Sequence, residues 1–138
     1  MYRFFKSGSF RFIDSLNFFL EPLRGLSKSY GIDTLKGFFP HKMNIPEYQD
    51  YIGPMPLKKL YGCNNMSPDE CEKIEKWYDK EVSNNTQFDF KKELHKYCDA
   101  DVELFAKAVF KFRQIYIDKV GIDHFQFITL ASLCKAIY

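Results

Sequence analysis

The sequence predicts a mostly α-helical α+β fold that combines one N-terminal β-hairpin with about four helices. Two short aromatic and β-branched runs, Tyr2–Phe5 and Phe10–Ile13, flank a Ser-Gly turn and predict the hairpin. The run from Phe90 to Tyr116 repeats apolar residues at spacings of three and four, which is typical of an amphipathic helix. At 138 residues the chain has the size of one domain or of a piece of one, and we expect one domain over residues 1–138.

The other helices are predicted from their boundary residues. A short helix begins at Pro22 and stops at Gly31, since proline suits a first turn and glycine a helix end. The run Ser67-Pro68-Asp69-Glu70 is a capping box that opens a helix to about Val82. A last helix is predicted from Thr129 to Ile137. Between the first two helices, residues 44–56 are rich in Pro, Gly, Asn and Tyr and predict an irregular segment.

Composition narrows the class of protein. The net charge is only +2, so binding to nucleic acid would depend on local basic patches or on stacking by the fifteen Phe and nine Tyr residues. No apolar run approaches the roughly 20 residues of a transmembrane helix, and the first ten residues lack the apolar region of a secretory signal, so we expect neither. The four cysteines form no metal-binding spacing, and Cys98 and Cys134 lie in apolar patterns that predict core positions. We therefore expect an intracellular protein without a membrane partner.

One carboxylate interrupts the apolar stripe of the long helix. Asp101 shares that predicted face with seven other residues: Leu94, Cys98, Val102, Phe105, Val109, Phe112 and Tyr116. Tyr97 precedes Asp101 by four residues, so the phenol and the carboxylate lie one turn apart. Taken alone, the pair is compatible with a boundary aspartate that binds a neighbouring Lys or Arg. Equally, Ser15 fits a turn that follows a strand, and Lys36 fits an exposed loop.

Several motifs in a fixed order resemble the C-terminal half of the 3′–5′ exonuclease domain of protein-primed family-B DNA polymerases. These enzymes occur in viruses, linear plasmids and virus-like transposons. The resemblance covers nearly the whole chain and rests on the following runs: Asp14-Ser15-Leu16-Asn17-Phe18-Phe19, Lys36-Gly37-Phe38-Phe39-Pro40-His41, Tyr51-Ile52-Gly53-Pro54-Met55-Pro56, Phe88-Asp89, Glu93-Leu94, Tyr97-Cys98-Asp99-Ala100-Asp101-Val102 and Phe127-Ile128-Thr129-Leu130-Ala131-Ser132. It implies a partial ribonuclease H-like domain.

The resemblance implies catalytic roles for three residues. In the family's Tyr-x-x-x-Asp motif, the residue matching Asp101 binds a catalytic Mg²⁺ or Mn²⁺ ion, and the residue matching Tyr97 orients the attacking water. Lys36 matches the lysine that supports exonuclease catalysis near the scissile phosphate.

The same resemblance implies DNA contacts near the hairpin. Ser15, Leu16 and Phe18 match a motif that grips the unpaired 3′ end of single-stranded DNA and, in some members, also binds the terminal protein.

The family's other catalytic carboxylates and its polymerase palm have no counterpart in this sequence. Two-metal phosphodiester hydrolysis needs several carboxylates around ions about 3.5–4 Å apart, and Asp101 cannot hold both alone. We therefore expect a fragment of a DNA-directed DNA polymerase that binds no metal by itself and is inactive as an isolated chain. The missing polymerase portion is an expected partner. The alternatives are a non-catalytic single-stranded DNA- or protein-binding remnant, a poorly folded relic, and a metal-dependent nuclease acting alone.

Overall fold

The computed structural model describes residues 4–33 and 37–138, and it confirms the predicted mostly helical α+β class. These residues form four α-helices and two antiparallel sheets of two strands each. They divide into two compact units. The first unit contains residues 4–33 and 102–138, and the second contains residues 37–101.

The predicted hairpin is confirmed at the start of the first unit. Strand β1 (Phe4–Ser7) pairs antiparallel with β2 (Phe10–Ile13), and Gly8 takes a positive φ of 58° in the turn between them. Such a backbone conformation is accessible to glycine at little steric cost. The first strand extends further toward the turn than predicted, while Tyr2 lies outside the described residues.

One face of this hairpin presents aromatic rings to solvent. Phe5 lies opposite Phe12, and Phe10 shares their face because side chains alternate along a strand. Phe5, Phe10 and Phe12 are 63%, 71% and 58% exposed. The rings of Phe5 and Phe12 pack against each other with centroids 5.9 Å apart. The hairpin therefore leaves a large part of its apolar surface uncovered.

Two short helices and part of a long one build the core of the first unit. These are α1 (Leu23–Ser29), residues 102–120 of α3 (Phe90–Val120), and α4 (Leu130–Ile137). Six buried residues form the centre of this core: Phe18, Phe19, Leu26, Ala108, Phe112 and Leu133.

Local capping interactions explain where the helices of this unit begin. Thr129 and Ser132 form a reciprocal capping box at the start of α4, as the predicted boundary requires. Pro22 immediately precedes α1, and Gly31 follows it with a positive φ of 56°, which confirms both predicted boundaries within a residue or two.

The second unit combines α2 (Pro68–Ser83) with a small sheet that the sequence did not predict. Ser67 and Glu70 form the predicted capping box at the start of α2, and Ile74 is buried on its inner side. Strands β3 (Ile52–Gly53) and β4 (Phe88–Asp89) pair antiparallel, so the segment predicted to be irregular contains one short strand.

The core of this unit is also aromatic. Its buried centre consists of Phe39, Met43, Phe88 and Phe90. The chain between Phe39 and α2 turns repeatedly through short 3₁₀ segments, including His41–Met43, Pro46–Tyr48 and Lys58–Tyr61.

Helix α3 confirms the predicted long helix but corrects its buried face. Asp89 caps its first turn by accepting a hydrogen bond from the backbone N–H of Lys92 at 3.1 Å. Cys98 and Val102 are exposed and do not belong to the core, contrary to the prediction. The buried and half-buried positions instead recur along the following stripe: Phe90, Leu94, Tyr97, Asp101, Leu104, Ala108 and Phe112.

The predicted core position of Cys134 is also wrong. Cys134 is exposed, because it lies on the outer side of the short helix α4.

Among the described helices, none combines the length and the apolar character that crossing a bilayer requires.

Candidate functional site

Tyr97 and Asp101 lie one turn apart on the inward stripe of α3 within the second unit. The ring of Tyr97 is half-buried and packs on Phe39 and His41, with centroid separations of 5.7 and 5.1 Å. Asp101 is also half-buried, and its Oδ1 atom is shielded from solvent. The carboxylate therefore lies on the same inward stripe of α3 as Tyr97 and Leu104.

Asp101 alone does not make a divalent metal site. The described residues contain no group of three or more His, Cys, Asp or Glu side chains arranged to hold a metal ion. Mg²⁺ and Mn²⁺ prefer several oxygen ligands. Among the described residues, Asp101 could therefore form at most one edge of such a site.

Lys36, the third predicted catalytic residue, lies outside the described residues, and its role stays a prediction. The motif's apolar member, Phe39, is described and is 4% exposed in the core of the second unit. Phe39 contacts both Phe90 and Tyr97 through tilted ring packing. This part of the motif thus contributes directly to the position of Tyr97.

Ser15 and Leu16 lie in a tight turn that follows β2 in the first unit. The turn Ser15–Asn17 is capped by Asp14, whose Oδ1 accepts a hydrogen bond from the backbone N–H of Leu16 at 3.0 Å. Ser15 is half-buried, whereas Leu16 is 56% exposed. The turn therefore presents an apolar side chain that a ligand could reach, next to a hydroxyl.

Phe18 occupies a different environment from Ser15 and Leu16. It is 9% exposed, and its ring packs edge-on against Phe112 and His124 with centroid separations of 6.1 and 5.2 Å. The ring of Phe18 therefore contributes to the core of the first unit. Its predicted contact with DNA stays a prediction.

The two groups of predicted residues belong to different units. Tyr97 and Asp101 lie in the second unit, while Ser15 and Leu16 lie in the first. Their participation in one common site stays a prediction.

A cavity of about 290 Å³ beside Tyr97 was not predicted from the sequence. Its lining includes Phe38, Trp77, Gln87 and Glu93, which come from four separate stretches of the second unit. The pairing of β3 with β4 joins the stretch of Gln87 to that of Met55, which also lines the cavity, and no local pattern in either strand predicts that pairing. Sequence periodicity reveals faces of single elements, so a cavity assembled from several elements gives no such signal.

A buried phenol supports one wall of this cavity. Tyr61 is 1% exposed and packs edge-on against Trp77, with ring centroids 5.6 Å apart. Burial raises the pKa of Tyr61 well above its usual range, and the nearby Tyr78 phenol and the Glu93 and Glu81 carboxylates raise the pKa further. The Tyr61 hydroxyl thus stays protonated at neutral pH, and the ring acts as a rigid support for the indole.

Comparison with known proteins places the chain in a family. A family model described as DNA polymerase type B, organellar and viral, matches residues 3–138. Three relatives are each named probable DNA polymerase. The one from Ascobolus immersus is 30% identical over 135 residues, which is 94% of this chain and 11% of the relative.

The other two relatives give the same picture. The protein from Neurospora intermedia is 30% identical over 92% of this chain and 13% of its own length. The protein from Podospora anserina is 26% identical over 92% of this chain and 10% of its own length. This chain therefore spans about a tenth of the curated relatives that it matches.

No solved structure gives a significant match. The family match extends over nearly all of the sequence, from the hairpin to the last helix, and the motifs that carry the predicted site residues lie within it. This chain belongs to the type B DNA polymerases of the organellar and viral group.

Proposed function

We propose that this chain is the 3′–5′ exonuclease side of a protein-primed DNA-directed DNA polymerase and holds single-stranded DNA during replication. Membership of the type B polymerases supports the general assignment. The order of the Ser-Leu, Lys-Gly and Tyr-x-x-x-Asp motifs supports the exonuclease side and a ribonuclease H-like domain over residues 1–138. Four free cysteines are consistent with an intracellular setting.

The Asp101 carboxylate on the inward stripe of α3 is the observation that carries the proposal. It lies one turn after Tyr97 on the same side of the helix, which is the arrangement that the Tyr-x-x-x-Asp motif needs to bring a metal ligand next to a phenol. In the intact polymerase, Asp101 would supply one ligand to Mg²⁺ or Mn²⁺, as the resemblance implies. Tyr97, one turn earlier, would position the attacking water, and Lys36 would support catalysis at the scissile phosphate.

Single-stranded DNA contacts the turn at Ser15 and Leu16. The exposed Leu16 side chain offers apolar contact to a base or sugar, and the Ser15 hydroxyl can donate a hydrogen bond to a phosphate oxygen. Neither interaction distinguishes one base from another, so this turn binds with little sequence preference. The same surface is the proposed contact for a terminal protein.

The isolated chain binds DNA but does not cleave it. A two-metal site needs several carboxylates, and the remaining ligands belong to another portion of the polymerase. That portion is therefore a required partner for hydrolysis. Binding and hydrolysis are separable in this proposal and can be tested separately.

The binding test uses fluorescence anisotropy of labelled single-stranded DNA at several salt concentrations. The double variant Ser15→Ala, Leu16→Ala should bind several-fold more weakly than the original chain. Leu57→Ala is the matched control, since Leu57 is 61% exposed but lies in the second unit, and it should bind normally. Affinity should fall as salt rises, because phosphate contacts release counterions. Equal affinity of the double variant and the control would contradict the proposed contact.

The hydrolysis test incubates the chain with end-labelled single-stranded DNA and Mg²⁺ or Mn²⁺. We expect no cleavage above the buffer control. Cleavage that disappears in Asp101→Ala would overturn the proposed inactivity of the isolated chain and would identify a nuclease that acts alone.

A further inference from the structure

The cavity beside Tyr97 has the features of a binding site for a small planar group. Its volume is about 290 Å³, at the lower end of the range typical of small-molecule sites. Phe38, Met55 and Trp77 supply apolar walls, while Gln87 and the Glu81 and Glu93 carboxylates supply polar groups. All of these residues belong to the second unit.

We propose that this cavity receives the base of one unpaired nucleotide and prefers bases that carry an exocyclic amino group. Adenine, cytosine and guanine carry such a group, and thymine does not. The inference rests on the proposed function, since it adds a base-binding subsite to a chain that holds single-stranded DNA.

The apolar walls fit the faces of a base. Phe38 and Trp77 are both half-buried, and their ring centroids lie 5.2 Å apart. Aromatic side chains at the border between core and cavity are the usual stacking partners for unpaired bases. Tyr61 packs against Trp77 from within the unit and limits its movement. A wall that is already in place avoids part of the ordering cost of binding.

The polar groups explain the preference for an amino group. Glu81 is held in position because its Oε2 accepts a hydrogen bond from the Thr86 hydroxyl at 2.7 Å. Glu93 accepts a hydrogen bond from the Lys96 ammonium at 3.0 Å. Each carboxylate has capacity for further donors, and an exocyclic amine is such a donor. The thymine edge offers a carbonyl oxygen at the corresponding position, which a carboxylate repels.

Lys96 offsets part of the negative charge that the two carboxylates bring to this cavity. It lines the same cavity, its side chain is 75% exposed, and its ammonium is paired with Glu93 at 3.0 Å. One ammonium against two carboxylates leaves the lining net negative, so we place the phosphate of a bound nucleotide in solvent. The aromatic walls and the carboxylates are therefore the groups that select a neutral base with an amino donor.

Trp77 allows a direct test because it is the single tryptophan of the chain. The full chain is titrated with the octanucleotides dC8, dA8 and dT8 while its emission is recorded, and labelled versions are followed in parallel by anisotropy. We expect dC8 and dA8 to quench Trp77 and to bind about tenfold more tightly than dT8, as one hydrogen bond to a charged group would give. Phe38→Ala should weaken the binding of both dC8 and dA8.

A matched pair of variants tests the role of the carboxylate. Glu93→Gln should remove most of the difference between dC8 and dT8. Glu72→Gln is the control, because Glu72 forms a similar helical ion pair with Lys76 at 2.6 Å but is exposed and does not line the cavity. The control should keep the full difference. Circular dichroism confirms that each variant is folded.

The outcomes separate this inference from the function on which it rests. Binding by anisotropy without any change in Trp77 emission overturns the base site and leaves the DNA-binding proposal intact. Equal quenching and affinity for all three octanucleotides overturns the preference for an amino group. No binding by either measurement overturns the DNA-binding proposal together with the subsite.

Discussion

The core of the first unit joins the two ends of the described chain, whereas the core of the second unit is built from one continuous stretch. In the first unit, Phe18 and Phe19 pack against Phe112, more than ninety positions later. In the second unit, Phe39 packs against Phe90 about fifty positions away. Closing a longer loop costs more conformational entropy, although the cost grows slowly with length. The first unit consequently depends more on each long-range aromatic contact that it forms.

The substitution Phe112→Ala tests this dependence and should have the largest effect on stability. Phe112 is 7% exposed and contacts the rings of Phe18, Phe19 and His124, so its loss creates a cavity at the centre of the first unit. We expect the free energy of unfolding to fall by about 3–5 kcal/mol, measured by urea denaturation followed by circular dichroism.

Phe110→Ala provides the control on the same helix. Phe110 is 60% exposed, so its truncation should change the free energy of unfolding by no more than about 0.5 kcal/mol. Similar losses for the two variants would mean that the aromatic cluster does not carry the stability of the first unit.

A second test uses a buried histidine found in the core of the first unit. His124 is 2% exposed, and its Nδ1 atom has no hydrogen-bond partner among the described residues. Burial lowers the pKa of His124, the nearby Asp123 carboxylate partly opposes this, and the Arg113 guanidinium adds to it. The folded chain therefore holds the neutral imidazole, while the unfolded chain takes up a proton below about pH 6.5.

The sign of the effect follows from this difference in proton binding. Because the unfolded state binds more protons below about pH 6.5, stability should fall as the pH is lowered from there, by at most about 1.4 kcal/mol per pH unit. Urea denaturation at pH 7.5, 6.5 and 5.5 measures this change in the free energy of unfolding. His124→Leu should flatten the pH dependence. The control His95→Leu, at an exposed position in the second unit, should leave it unchanged, and a flat profile in the original chain would contradict the assignment.

The smallest expected effects come from the two capping boxes, one in each unit. Ser67→Ala removes the acceptor at the start of α2, and Thr129→Ala removes the acceptor at the start of α4. Each should cost about 1 kcal/mol in urea denaturation. Ser83→Ala, at the other end of α2, should change stability by no more than about 0.5 kcal/mol. A cap variant that behaves like Ser83→Ala would show that its helix is fixed by packing alone.

Local signals predicted most of the fold. The capping box at Ser67, the helix start at Thr129 and the turn at Gly8 each depend on a few neighbouring residues, so the sequence contains the whole interaction. The pairing of β3 with β4 is different, because two strands of two residues each come together across more than thirty positions. No pattern of period two can be recognised in so short a run.

The buried face of α3 differs from its prediction for a related reason. Cys98 and Val102 are apolar and fit a helical spacing that predicts core positions, but Tyr97 and Ala108 occupy the inward stripe instead. A tyrosine with a polar tip and a small alanine carry little weight in a hydrophobic pattern, although both fill interior positions well. Asp101 remains on the buried side of α3 after this correction. That Asp101, Lys36, Ser15 and Leu16 form one common site stays a prediction.

The outward-facing rings of the hairpin bear on how a solution of this protein behaves. Phe5, Phe10 and Phe12 form an exposed apolar strip. A net charge of +2 provides little long-range repulsion between molecules. We therefore expect this chain to self-associate through these rings at neutral pH as its concentration rises. Dilute samples, or a pH that gives the chain a larger net charge, should keep the molecules apart.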